Sequence, residues 1–356
     1  MSPTRDSLRS ELWPETETWH LEEERAPRNV RTPLLITGAA VVIVGLFVLR
    51  AVMPLGDALS PPHAVRDFFT LTLSVVVESL PFVVLGIVLS ILVQVWLPAG
   101  WLERWLPRNQ VLRRACISLL GMFLPVCECG NVPLARGLIL RGFTVPESIT
   151  FLLAAPILNP IVIVTTHQAF GWDGGILVAR LVGGFVLANL IGWLFSRHPD
   201  PSSLLTPRFQ AYCEVTEEHD HEHSRLEQTL QQFVAEARAI MPALLIGSAV
   251  AGAVQVLVPR EVLVTLGANP VWSVLAMMAL ALIVSICSNV DAFFVLSFGS
   301  TFMPGSIVAF LVLGPVVDVK MLALMRTTYT TRTLVVITGI AILFSAALGF
   351  GVNALA

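Results

Sequence analysis

The chain has 356 residues, of which 55% are hydrophobic and only 13% charged, with a mean hydropathy of +0.77. An ordinary soluble domain is about one quarter charged, so the composition excludes that class and points to an all-α, polytopic integral membrane protein. The net charge of -3 says little about partners, and nothing in the sequence invites nucleic acid; the lipid bilayer is the expected environment.

Taken in chain order, residues 1–32 carry Glu11, Glu15, Glu17, Glu22, Glu23 and Glu24 with scattered arginines and no apolar signal-peptide core. They read as a disordered acidic tail on the cytosolic side of the inner (plasma) membrane. A helix needs about 20 apolar residues to cross the hydrocarbon core. Nine segments reach or approach that length, at roughly 34–52, 71–97, 115–140, 149–166, 176–195, 240–258, 271–296, 307–323 and 334–355. They amount to 9–11 crossings or re-entrant pieces, and such unbroken runs exclude a β-barrel, whose strands would alternate over about ten residues. The expected layout is an extra N-terminal transmembrane helix at 33–53, a first repeat at 68–196, a His-rich cytosolic linker at 197–237 and a second repeat at 238–356.

The repeat is read from polar and helix-breaking residues, which chance apolar similarity does not align. Pro81, Gly86, Gln94 and Pro98 match Pro242, Gly247, Gln255 and Pro259, each 161 positions later. "CGNVPLA" at Cys129–Ala135 answers "CSNVDAF" at Cys287–Phe293, aligning Cys129 with Cys287 and Asn131 with Asn289. With one inserted residue, Pro146, Pro156 and Asn159 align with Pro304, Pro315 and Asp318. Loop charge adds direction. The loops holding Arg104, Arg108, Arg113 and Arg114, and Arg197, Arg208, Arg225 and Arg238, both belong on the cytosolic side. Three apparent spans separate them, so one must return to its own side. Residues 114–141 are the candidate, because 28 residues of straight helix would run about 42 Å through a core of about 30 Å. The expected break falls at Pro125–Pro133, and with it the two repeats become inverted in topology. Paired broken segments in two inverted halves are the mark of a secondary transporter with a midplane site.

"ESLPFVVLG" at Glu78–Gly86, "CECGNVPLARGL" at Cys127–Leu138, "AAPILNP" at Ala154–Pro160 and "CSNVDAFF" at Cys287–Phe294 resemble the predicted-permease family that includes the organoarsenical (ArsP-type) efflux permeases. The resemblance covers about residues 71–355. It implies a permease fold and export of a solute.

The polar positions then divide by chemistry. Cys127, Cys129 and Cys287 would place three sulfurs near the pseudo-two-fold axis, a soft site for trivalent arsenic or another thiophilic solute. Close helix packing is the plain alternative for small cysteines. Asn131, Asn159, Asn289 and Asp318 would add oxygens around the opened backbone. Intramembrane charges are candidates by default because each is costly there. Asp291, Glu128 and Glu78 are the expected ion-coupling groups; the plainer alternative is that Glu128 and Arg136 neutralise each other and that Lys320 only satisfies Asp318. In the linker, His219, His221 and His223 have the spacing of a divalent-metal collector, or of a solvated linker. No P-loop, H-E-x-x-H or G-x-S-x-G pattern is present, so neither an enzyme nor a cofactor is expected. The sequence therefore reads as a secondary permease exporting a thiophilic solute. Its alternatives are a divalent-metal permease and a non-transporting scaffold subunit, with homo-oligomerisation open.

Overall fold

The computed structural model describes residues 63–96, 104–123, 126–218, 225–257, 270–299 and 302–355. The acidic tail, the extra helix expected at 33–53, and His219, His221 and His223 lie outside them. Among the described residues all regular structure is helical, apart from one antiparallel bridge between Leu205 and Tyr329.

Among the described residues, four helices are long and apolar enough to cross a membrane unaided. They are α1 (His63–Ile91, continued by a π turn at Leu92–Trp96), α6 (Ile176–Phe195), α8 (Arg225–Leu257) and α13 (Thr331–Leu355). Helix α8 therefore begins inside the stretch assigned to the linker. The other four described apolar segments are each broken in two. Residues 115–140 divide into α2 (Gln110–Leu119, with a 3-10 turn at Leu120–Phe123) and α3 (Glu128–Leu140). Residues 149–166 divide into α4 (Val145–Ala154) and α5 (Pro160–Phe170). Residues 271–296 divide into α9 (Pro270–Ile283) and α10 (Asp291–Leu296), and residues 307–323 into α11 (Pro304–Leu313) and α12 (Val319–Met325). Helix α7 (Pro207–Glu218) lies in the linker.

Local chemistry explains the restarts. Asn159 caps α5, its Oδ1 accepting from the Ile161 N–H, and Pro160 supplies a pre-set first turn. Asp318 caps α12 by accepting from the Met321 N–H. Helix α4 opens with Pro146 in its first turn and the Glu147 carboxylate accepting from Thr144 N–H. Pro133, expected to belong to the break, sits inside α3 instead, and Ser90 on α1 donates to its carbonyl at 2.8 Å.

Every residue of α4 is buried, as is all of α11 after Pro304. Helices apolar on all sides need surrounding protein or lipid. Here α4 is enclosed by α2, α3 and α6, and α11 by α9, α13 and α6. The long helices α1 and α8 pack along each other, α1 also against α3 and α8 against α12. Two glycines make the last two contacts possible. A Cβ on Gly86 would overlap the Gly130 carbonyl of α3, and one on Gly247 would lie 2.8 Å from the Ala323 Cβ and 3.2 Å from the Lys320 Cα of α12. These glycines thus set how closely α3 and α12 approach.

Candidate functional site

In both breaks a cysteine carbonyl accepts the N–H groups that lead into the next helix. The Cys127 carbonyl accepts from the N–H groups of Gly130 and Asn131, and the Cys287 carbonyl from those of Val290 and Asp291. In local role Cys287 thus answers Cys127, whereas the sequence motif aligns it with Cys129. Glu128 follows Cys127 as the first residue of α3, and Ser288 follows Cys287.

The two breaks meet. Glu128 Oε2 accepts from the Ser288 N–H at 3.3 Å, the Ser288 hydroxyl at 3.0 Å and the Cys287 thiol at 3.9 Å. Glu128 Oε1 accepts from Lys320 Nζ at 3.3 Å, and the same ammonium donates to Ser79 Oγ at 3.4 Å. Cys129 donates to that Ser79 hydroxyl at 3.5 Å. The Cys127 and Cys287 sulfurs and a Glu128 carboxylate oxygen all lie within 4.8 Å of one another. Three sulfurs, one carboxylate, one ammonium and two hydroxyls therefore form one buried cluster in which none of these residues is more than 4% exposed. Glu78 is exposed and immediately precedes Ser79 of this group on α1.

The remaining expected site residues are placed around it. Asn159 uses its amide N–H to hold the Val126 carbonyl at 2.9 Å, tying the α5 cap to the first break. Asp318 caps α12 and lies among the charged neighbours of Lys320. Asn131 is fully buried, and neither polar end of its side chain has a hydrogen-bond partner among the described residues; the Asn289 Oδ1 is in the same position. The Asp291 backbone N–H donates to the Cys287 carbonyl, but its carboxylate has a different partner. Arg180 grips it with two bonds, of 3.0 and 2.6 Å, and also donates to Thr166 Oγ1 at 2.7 Å.

The pairing of charges differs from the sequence reading. Glu128 pairs with Lys320, not Arg136, and Arg136 pairs with Glu236 at 2.8 Å beneath the Phe209 ring. The reason is geometric: Glu128 and Arg136 lie on one helix, eight residues and thus about 12 Å of axial rise apart. Sequence reasoning also missed Ser79, Ser288 and Glu236, which are unremarkable in isolation. It missed Arg180 as well, though a lone arginine in a 20-residue apolar span carries the same signal as the charges it did single out.

A thiol cluster of this kind can bind a soft centre, and the Cys127, Glu128 and Cys287 ligand atoms lie within 4.8 Å of one another. A family model described as a predicted permease matches residues 64–353. The chain is similar to a Streptococcus mutans protein provisionally named a two-component membrane permease complex subunit, 34% identical over 76% of this chain and 90% of that one. It is also similar to the UPF0718 protein YcgR of Bacillus subtilis, 36% identical over 73% of this chain and 88% of the relative, and to Escherichia coli YraQ, 33% identical over 37% and 36%. No solved structure matches. A match over most of the chain, together with long apolar helices and broken apolar segments, shows that this multi-pass membrane protein belongs to the predicted-permease family.

Proposed function

We propose that the chain is a secondary permease that exports an uncharged thiophilic solute, such as a trivalent organoarsenical, by alternating access across the inner membrane. The observation that carries this reading is the buried grouping of Cys127 and Cys287 within 4.8 Å of each other, with Cys129 bonded to the Ser79 hydroxyl that also meets Lys320, where two helix breaks meet, one from each half of the chain. Soft thiols select soft centres, and opened backbone inside a membrane is tolerated only where it is enclosed by protein or lines a cavity. Helices α1–α6 and α8–α13 follow one order, from long helix through two broken segments to long helix. This supports two repeats, which the loop charges make inverted. Asn131 and Asn289 face the cargo in this reading, and Glu78 provides the exposed approach to the pocket. Asp291 and Glu128 are the coupling candidates, Asp291 acting through Arg180. The description of the Streptococcus relative makes a second subunit a reasonable addition, beside or in place of a homo-oligomer.

The test is arsenical tolerance and efflux in a sensitive host. Wild type should protect against trivalent methylated arsenicals, while Cys127→Ser and Cys287→Ser should weaken phenylarsine oxide binding by at least about tenfold, or about 1.4 kcal/mol. Undiminished protection by both variants would remove the sulfur site. For topology, cysteines introduced as Arg104→Cys and Ser224→Cys should be labelled from the same, cytosolic side; labelling from opposite sides would remove the inversion.

A further inference from the structure

The thiol pocket is compatible in principle with two kinds of soft cargo, a divalent cation or an uncharged metalloid. Cys127, Glu128 and Cys287 alone have the spacing of a metal-ligand set. Lys320 changes that. Its ammonium, 1% exposed, stands 3.3 Å from Glu128 Oε1 and 3.4 Å from Ser79 Oγ, with Cys129, Cys287 and Asp318 as further neighbours. It thus already meets the negative charge that a bound cation would need. The other carboxylate oxygen is also engaged, by Ser288 and Cys287. A divalent ion would have to free the carboxylate and displace a like charge in a medium that screens it poorly.

An uncharged dihydroxyarsine asks for neither. Two As–S bonds form and two As–O bonds break. Each thiol proton leaves with a hydroxyl group as water, so arsenic stays trivalent and the pocket's charge is unchanged. We infer that Lys320 is the specificity-determining residue, a tethered cation that reserves the thiol pocket for uncharged thiophilic solutes and rejects divalent cations. This rests on reading the thiols as the cargo site, and it decides between the metalloid and divalent-metal versions of that reading.

The experiment is equilibrium dialysis of the purified full-length chain in detergent against Cd²⁺ alone and against phenylarsine oxide alone, with bound metal and arsenic counted per chain. A variant with Cys127→Ser, Cys129→Ser and Cys287→Ser sets the background. Wild type should hold arsenic and no Cd²⁺ above background. Lys320→Met should gain one Cd²⁺ per chain, with at least tenfold tighter binding than wild type. Adding Cys287→Ser should abolish the gain, and the charge-preserving Lys320→Arg should not show it. Stoichiometric, thiol-dependent Cd²⁺ on wild type would overturn the proposal, and that comparison decides even where Lys320→Met does not fold. So would a folded Lys320→Met protein that binds arsenic but gains no Cd²⁺. A Cd²⁺ gain in Lys320→Met with no arsenic on wild type would support the lysine's role while removing the arsenical from the proposed function.

Discussion

Glu128 accepts from four donors, the Lys320 ammonium, the Ser288 N–H and hydroxyl, and the Cys287 thiol, all out of solvent. Such a group is stable only as a set. Removing one partner of a buried pair costs about 3–5 kcal/mol, because it leaves the other charge unpaired, whereas removing both together is often close to neutral. Glu128→Gln or Lys320→Met should therefore each lower the thermal midpoint in detergent sharply, and the double variant should recover most of the loss. Additive losses would mean that the two residues do not act as a pair. The thiols, asparagines and acids of this pocket were legible in the sequence because polar groups stand out in an apolar run. Their partners were not, because Glu128 and Lys320 are 192 positions apart, and Arg180 and Asp291 are 111 apart. Sequence proximity suggested Arg136 for Glu128, and the helical rise of α3 rules it out.

At the scale of elements, the breaks govern the pocket. Residues 149–166 and 307–323 look like single spans, each interrupted only by a short stretch with proline and polar residues, Pro156 to Pro160 in one and Pro315 to Lys320 in the other. The structure stops both at those marks, near Pro156 and Pro315, and restarts them on Asn159 and Asp318. Asn159 does two things at once: it caps α5 and holds the Val126 carbonyl beside Cys127. Asn159→Ala should lose about 1 kcal/mol for the cap and about 1–3 kcal/mol for the carbonyl left buried without its donor. Asn159→Ser keeps a neutral cap acceptor and loses only the reach to the Val126 carbonyl, so its unfolding midpoint should fall between wild type and alanine. Equal destabilisation by both substitutions would mean that the cap contributes nothing. The position of Pro133 inside α3 was less legible. A proline can mark a break or be tolerated within a membrane helix, and the sequence alone does not say which.

At the scale of the whole molecule, the three ion pairs that are buried on both sides among the described residues all join α3 or α6 of the first half to α8, α10 or α12: Glu128 with Lys320, Arg136 with Glu236, and Arg180 with Asp291. The pair within the first half, Arg113 with Glu147, is partly exposed at Arg113. The linker is fastened too. Thr206 N–H donates to the Thr328 carbonyl and Thr330 N–H to that of Leu204, while Phe209 lies 4.2 Å over Arg136. The order of long and broken segments was readable from matched prolines, asparagines and cysteines. The cross-half pairing was not, since it depends on which faces of distant helices meet.

That pairing has a consequence for biogenesis. During synthesis the first half enters the membrane carrying Glu128, Arg136 and Arg180 before any of their counter-charges exist, so it waits as an unfinished object that the cell's membrane quality control can recognise. The second half alone would hold Glu236, Asp291 and Lys320 in the same condition. Expressed separately, residues 1–218 and 219–356 should each be degraded rapidly in a pulse-chase measurement. Expressed together, they should protect each other, because completion of the charge set, not the covalent linker, is what ends the vulnerable period.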